Sequence, residues 1–238
     1  MEAYRTEEEQ VEALRKWWDE NGRSTLLAIA LALGVGFGWQ GWQQHSANVA
    51  AEASARYDEM LDAVRETRSE AQVSTTRHLA EGIKNDYPGT TYAQFAALHL
   101  ARLAMIENDT ETAEQELRWV LTSNPDTELR LLTELRLARV EAARGNPEQG
   151  LEIISAAEPG AFEPAFLEAK GDMYLQLGQR EEAIIAYEQA LGLAAASGVG
   201  ASEALQLKLR ALTPISAREA TPESAPETGR ELPAELEE

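Results

Sequence analysis

The chain contains no cysteine, so it has no disulfide bond, no cysteine nucleophile and no cysteine metal ligand. It has only three histidines, His45, His78 and His99, and their separations fit neither a metal site nor a catalytic triad. We interpret each of them as a surface or helix-interface residue. The sequence therefore predicts a protein that is not an enzyme and that requires no cofactor or metal.

Basic residues are scarce as well. The chain has 21 Lys and Arg against 41 Asp and Glu, which gives a net charge of −20. Proteins that bind nucleic acid normally present a basic patch or stripe. We therefore expect no nucleic-acid partner, and we interpret the excess of acid mainly as a well-solvated surface that resists nonspecific association.

One segment near the start lacks charge of either sign. Residues 24–51 include no Asp, Glu, Lys or Arg, and Leu26–Trp39 reads LLAIALALGVGFGW. Trp17 and Trp18 precede this core, and Trp39 and Trp42 close it. A helix rises about 31 Å between Trp18 and Trp39, which matches the hydrocarbon thickness of a bilayer, and paired tryptophans are typical of both membrane interfaces. We predict a transmembrane anchor at residues 24–44.

Two other interpretations of this segment remain open. A cleaved signal peptide could end near Val49-Ala50-Ala51, and a soluble protein could bury the helix in its core. The head, residues 1–23, argues against a signal peptide, because it is long and contains seven acidic residues.

Lys and Arg near the segment predict its orientation. Four basic residues precede it, three of them within nine residues of its start, whereas Arg56 alone occurs in the twenty residues after it. Cytoplasmic flanks carry the excess of Lys and Arg. We therefore expect residues 1–23 to form a cytoplasmic head and the rest of the chain to lie on the other side of the membrane. Ala30, Gly34 and Gly38 recur every four residues within the span, a pattern that lets transmembrane helices pack closely.

The remainder of the chain is rich in Ala, Leu, Glu, Gln and Arg and has no sustained alternating pattern, which predicts an all-α protein. Residues 164–191 have the spacing of a tetratricopeptide repeat: small residues where two helices cross and aromatic residues beside them. The positions that carry this pattern are Gly171, Tyr174, Gly178, Ala183, Tyr187 and Ala190. Two weaker units precede it, so that the three frames begin near Gln94, Leu131 and Pro164.

These patterns predict the domain organisation. After the anchor we expect membrane-proximal helices at residues 45–90 and a tetratricopeptide-like α-solenoid at residues 91–212. Residues 201–212 would form a capping helix over the last repeat. Residues 213–238 contain four prolines and seven glutamates, a composition that predicts an acidic, disordered tail.

In such a solenoid the first helix of each repeat lines a concave groove. Superposing the three frames predicts three rows of groove residues, two largely apolar and one charged. The candidate partner groove consists of Phe95 and Leu132, then Leu98 and Leu135, then Arg102, Arg139 and Asp172. The third row predicts that Arg139 pairs with Asp172. Two alternatives remain: the chain's own helix over residues 48–86 fills the groove, or the frame is displaced by one residue.

Several stretches resemble the ancillary SecYEG translocon subunit family. They read LRKWW at residues 14–18, TYAQFAAL at 91–98, LRLARV at 135–140, KGD at 170–172 and AYEQAL at 186–191. The resemblance covers roughly residues 1–212. It implies a non-catalytic protein of the bacterial inner membrane, with a periplasmic tetratricopeptide-like domain. It also implies association with SecYEG and with the membrane-anchored chaperone PpiD, and a role in passing exported chains to periplasmic chaperones.

Three alternative functions follow from the residues alone. A membrane-tethered scaffold could serve another envelope process, such as cell division or outer-membrane assembly. An exported enzyme would require the cleaved signal and a polar catalytic pocket. The head could instead regulate a cytoplasmic factor while the remainder of the protein senses load.

Overall fold

The computed structural model describes residues 7–65, 70–196 and 202–212. These residues form α-helices and a single 3₁₀ turn, and they contain no β-strand. The all-α prediction is therefore confirmed. The start of the head, the first residue of the predicted capping helix and the predicted disordered tail at residues 213–238 lie outside the described residues.

The first helix, α1, runs without interruption from Glu7 to Arg65. It therefore includes most of the predicted head, the whole apolar segment and the first part of the membrane-proximal region. It is the one helix in the described part of the chain that is long and apolar enough to cross a membrane, and none of its apolar window is buried. Val35 and Phe37 are 71% and 70% exposed. This exposure disagrees with the interpretation of a buried soluble helix, because such a helix would be covered by its own protein.

The chain divides into two compact units, residues 1–96 and 97–238. In the first unit, α1 packs against α2, Glu70–Asp86. Ala53 and Met60 of α1 are fully buried, as is Ala80 of α2. Within residues 48–86 the structure thus describes the end of α1, up to Arg65, and the helix α2 from Glu70 onward.

The second unit is built from helical hairpins. Its elements are α3 Thr91–Ile106, α4 Thr110–Thr122, α5 Thr127–Ala143, α6 Pro147–Ala156, a 3₁₀ turn Gly160–Phe162, α7 Glu163–Gln176, α8 Arg180–Ala196 and α9 Glu203–Leu212. The first residues of α3, up to Ala96, belong to the first unit. The helices α3, α5 and α7 begin at Thr91, Thr127 and Glu163, so that their starts are 36 residues apart. This regular interval is the structural counterpart of the three sequence repeats.

The turns inside two hairpins depend on glycine. Gly145 between α5 and α6 has φ 88°, and Gly178 between α7 and α8 has φ 74°. Most other residues avoid this left-handed region because their Cβ atom clashes with the backbone. The helix after the first of these turns begins with Asn146 at the N-cap and Pro147 at the first position, as the sequence predicts. The Asn146 side chain makes no capping bond, and its amide nitrogen donates to Glu141.

The helices pack most tightly at the two crossings where the sequence provides glycine. A Cβ atom on Gly171 of α7 would lie 2.5 Å from the ring of Tyr187 on α8. One on Gly150 of α6 would lie 2.7 Å from the Ala138 carbonyl oxygen and 2.8 Å from the Met173 sulfur. All three distances are shorter than van der Waals contact allows, so the absence of a side chain at each glycine sets the distance between these helices.

The last helix, α9, covers the last hairpin. Its Leu205 and Leu212 are buried in one cluster with Ala183, Tyr187 and Ala190 of α8. Lys208 of α9 also reaches across to α7, where it donates to Glu168 at 2.9 Å and to Asp172 at 2.8 Å. The helix therefore closes the apolar end of the solenoid, as a terminal cap must.

Candidate functional site

A pocket of about 340 Å³ opens between α3, α4 and α5 in the second unit. Its apolar wall is formed by Leu98, Ala101, Met105, Leu117 and Val140. Leu117 of α4 is 1% exposed and Val140 of α5 is 4% exposed, so these side chains belong to the packed interior and form a fixed floor.

Three arginines complete the lining: Arg102 on α3, and Arg136 and Arg139 on α5. All three are exposed. Burial lowers the pKa of Arg136, and the positive charges of Arg102 and Arg139 lower it further. The pKa of the half-buried His99 is lowered by burial and then by Arg102 and Arg136. The opening of the pocket therefore holds positive charges that repel one another.

Within residues 7–65, 70–196 and 202–212, none of these three guanidinium groups forms an ion pair. Two other arginines of the same unit are paired: Arg118 lies 2.6 Å from Glu114, and Arg144 lies 3.3 Å from Glu141. In a chain with nearly twice as many acidic as basic residues, three arginines without an ion pair thus gather beside one apolar pocket.

The predicted groove residues separate into distinct environments. Leu98, Arg102 and Arg139 lie together around the pocket. Leu135 is instead buried in the core with Leu131 and Phe166, and Leu132 is half-buried on α5 outside the pocket lining. Three residues of α5 line the pocket: Arg136, Arg139 and Val140. Of the predicted groove residues in the second repeat, Arg139 therefore lies at the pocket, whereas Leu132 and Leu135 do not.

Phe95 belongs to the first unit, where another part of the chain covers it. The ring of Tyr57 on α1 lies 5.8 Å from the Phe95 ring and 5.7 Å from the Tyr92 ring. At this position the chain's own helix α1 lies against one of the predicted groove residues, which is the arrangement that the first of the two alternatives describes. Phe95 is therefore not an open contact for a partner.

The predicted pairing of Arg139 with Asp172 is wrong. Asp172 accepts a hydrogen bond from the Tyr187 hydroxyl at 2.7 Å and another from Lys208 at 2.8 Å. Burial would lower the pKa of Lys208, but its hydrogen bonds to Asp172 and Glu168 outweigh that effect and raise it. Asp172 thus helps to hold the capping helix α9, which superposed repeat frames could not predict because α9 lies outside the repeat.

Sequence reasoning missed four further residues of the pocket wall: Ala101, Met105, Leu117 and Val140. Helical spacing provides a signal for two of them, since Ala101 and Met105 follow Leu98 by three and seven residues on one face of α3. By the same spacing, Arg139 and Val140 follow Arg136 by three and four residues on one face of α5.

The three small residues of the predicted span, Ala30, Gly34 and Gly38, are exposed on α1. A Cβ atom on Gly34 or Gly38 would have no neighbour within 4 Å. Their surface is therefore open to lipid or to a second helix, and their role in helix packing stays a prediction. In the part of the chain that the structure describes, no group of three or more His, Asp or Glu side chains could hold a metal ion.

Comparisons with known proteins agree with this architecture. A family model described as a tetratricopeptide repeat-like domain matches residues 15–214, a range that includes the apolar part of α1. The chain is 32% identical over 189 residues to the ancillary SecYEG translocon subunit of Haemophilus influenzae, covering 79% of this chain and 90% of that protein.

The chain belongs to the ancillary SecYEG translocon subunit family. It is 28% identical to the Escherichia coli member over 213 residues, which is 90% of this chain and the full length of that protein. The member from Aggregatibacter actinomycetemcomitans is 32% identical over 79% of this chain and 90% of its own length. The family resemblance predicted from the sequence is therefore confirmed.

Proposed function

We propose that this protein is a non-catalytic accessory subunit of the SecYEG translocon, anchored in the bacterial inner membrane by α1. Its tetratricopeptide-like domain lies in the periplasm and passes exported chains to periplasmic chaperones, with the membrane-anchored chaperone PpiD as a further partner. The observation that carries this proposal is the match over most of the chain, apolar helix included, to relatives named ancillary SecYEG translocon subunits. The exposed apolar surface of α1 supports the anchor.

Isolation of the tagged full-length protein from its own membranes in a mild detergent tests this function. We expect SecY, SecE and PpiD among the co-purifying chains, together with the intact N-terminal peptide of this protein. Recovery of cell-division or outer-membrane assembly proteins without SecY or SecE would contradict the translocon assignment. A form that starts near residue 52 and is free in the periplasm would contradict the anchor.

The orientation can be tested by cysteine labelling, because the native chain has no cysteine. Glu9 on the head and Glu148 on α6 are both exposed, so Glu9→Cys and Glu148→Cys form a matched pair. In intact spheroplasts a membrane-impermeant maleimide should label Glu148→Cys alone, and Glu9→Cys should react only after lysis. The reverse pattern, or labelling of both before lysis, would contradict a cytoplasmic head.

A further inference from the structure

We infer that the pocket between α3, α4 and α5 binds an acidic peptide segment of a partner protein that inserts a large apolar side chain. This inference states the chemistry of the partner segment that the tetratricopeptide-like domain binds, and it therefore rests on the proposed function. Two features of the pocket carry this inference: its apolar wall and the three arginines at its opening, Arg102, Arg136 and Arg139, which we call the arginine cluster.

The pocket wall requires an apolar ligand group. Five apolar side chains line a volume of about 340 Å³, which is within the range of roughly 300–1,000 Å³ that is typical of ligand sites. Its floor is fixed by packing, because Leu117 and Val140 are almost fully buried. A leucine- or phenylalanine-sized side chain placed here would leave water without requiring the helices to move, and apolar burial favours this transfer.

The arginine cluster requires negative charge next to that apolar group. Its three guanidinium groups lie close enough for Arg102 and Arg139 to lower the pKa of Arg136, and none has an acidic partner among the described residues. Like charges held together destabilise the unbound protein. An incoming carboxylate removes this repulsion and can accept two hydrogen bonds from one guanidinium group.

The location within the fold favours a peptide as the source of these groups. The pocket lies between α3 and α5, the first helices of two successive hairpins, and helical solenoids use extended concave surfaces of this kind to bind other chains. Nucleic acid is disfavoured because its binding proteins present an extended basic patch or stripe, whereas the lining of this pocket contains three arginines.

The test measures binding of a short fluorescent peptide with glutamates on both sides of two phenylalanines to the full-length protein in detergent. Two control peptides replace the glutamates by lysine or the phenylalanines by alanine. We expect only the first peptide to bind with appreciable affinity, and its binding should weaken as salt is added. Equal binding of the acidic and basic peptides would overturn the inference.

Variants then locate the site. Arg102→Gln, Arg136→Gln and Arg139→Gln together should weaken binding of the acidic peptide by about tenfold. They should leave the melting temperature unchanged or higher, since they remove repulsion. The control is Arg65→Gln, Arg130→Gln and Arg210→Gln, which changes the net charge equally at exposed sites away from the pocket lining. Equal loss of binding in both triple variants would overturn the assignment to the pocket.

Three further outcomes distinguish a partner's peptide from other occupants of the pocket, and distinguish failure of this inference from failure of the proposed function. Peptide binding that appears only when the chain ends at Leu212 would mean that residues 213–238 occupy the pocket, which contradicts a partner's segment there. Displacement of the peptide by vesicles of anionic lipid would contradict a peptide site. A protein that co-purifies with SecY but binds none of the peptides would overturn this inference and leave the translocon assignment intact.

Discussion

Simultaneous replacement of Arg118 and Arg144 by methionine is expected to lower the free energy of unfolding by about 3–5 kcal/mol. The two arginines neutralise Glu141 of α5, whose side chain is only 1% exposed. Each arginine lies 3.3 Å from a different Glu141 oxygen, and both also pair with Glu114 of α4. Without the two arginines, the buried negative charge of Glu141 would keep one side-chain hydrogen bond, from the amide of Asn146 at 3.3 Å.

The magnitude follows from burial of the charge that is left behind. Exposed ion pairs contribute little, because water screens both partners, whereas an uncompensated buried charge loses its hydration without replacement. The pKa of Glu114 is lowered, first by its hydrogen bond from Arg118. This carboxylate is therefore charged at neutral pH, where the measurement should be made.

Thermal unfolding of the full-length protein in detergent provides the measurement, with an expected fall of roughly 10 °C. The matched control adds Glu141→Leu to the two methionine substitutions, which removes the stranded charge and should recover most of the loss. If the double variant unfolds within about 1 kcal/mol of the native protein, Glu141 is not buried in solution as the structure describes.

Gly171→Ala is expected to lower the free energy of unfolding by about 2–3 kcal/mol. The added Cβ atom would lie 2.5 Å from the Tyr187 ring. That ring is fully buried, and its hydroxyl is fixed by the 2.7 Å hydrogen bond to Asp172, so it cannot move away without breaking the bond. The helices α7 and α8 would have to separate, which would also disturb the surface that α9 covers.

Gly192→Ala in α8 is the matched control, because a Cβ atom there would have no neighbour within 4 Å. Alanine favours a helix over glycine by about 0.5–1 kcal/mol, so this variant should be as stable as the native protein or slightly more stable. Urea unfolding of both variants gives the comparison. Equal stability of Gly171→Ala and Gly192→Ala would contradict the close crossing of α7 and α8.

The sequence predicted the hairpin of α7 and α8 well, because that repeat contains its diagnostic residues. Gly171 and Tyr187 occur at the spacing that a close crossing requires, and the structure places one directly against the other. Gly145 and Gly178 marked turns that do require positive φ. The apolar segment was equally clear, although its continuation as one helix from Glu7 to Arg65 was not.

The groove was harder to predict because α5 buries residues on several faces. Leu131 and Leu135 face the core cluster, but Leu129, Leu137 and Val140 are buried too. A helix with apolar residues almost all round has no single stripe from which its groove side can be read. Superposed frames could therefore place Arg139 at the pocket and still misassign Leu132 and Leu135. Asp172 was assigned to the groove although it binds Lys208 of α9. Repeat spacing could not predict this contact, because it joins residues that are far apart in the sequence.

The most direct test of the account is reciprocal: isolation of the translocon through a tag on SecE, in mild detergent, from cells that produce this chain at its natural level. We expect recovery of the full-length protein, including peptides that precede the apolar segment. Its amount should exceed that of an unrelated inner-membrane protein with one transmembrane helix. Absence of the chain from preparations that retain SecY and PpiD would contradict its assignment as an accessory subunit of the translocon.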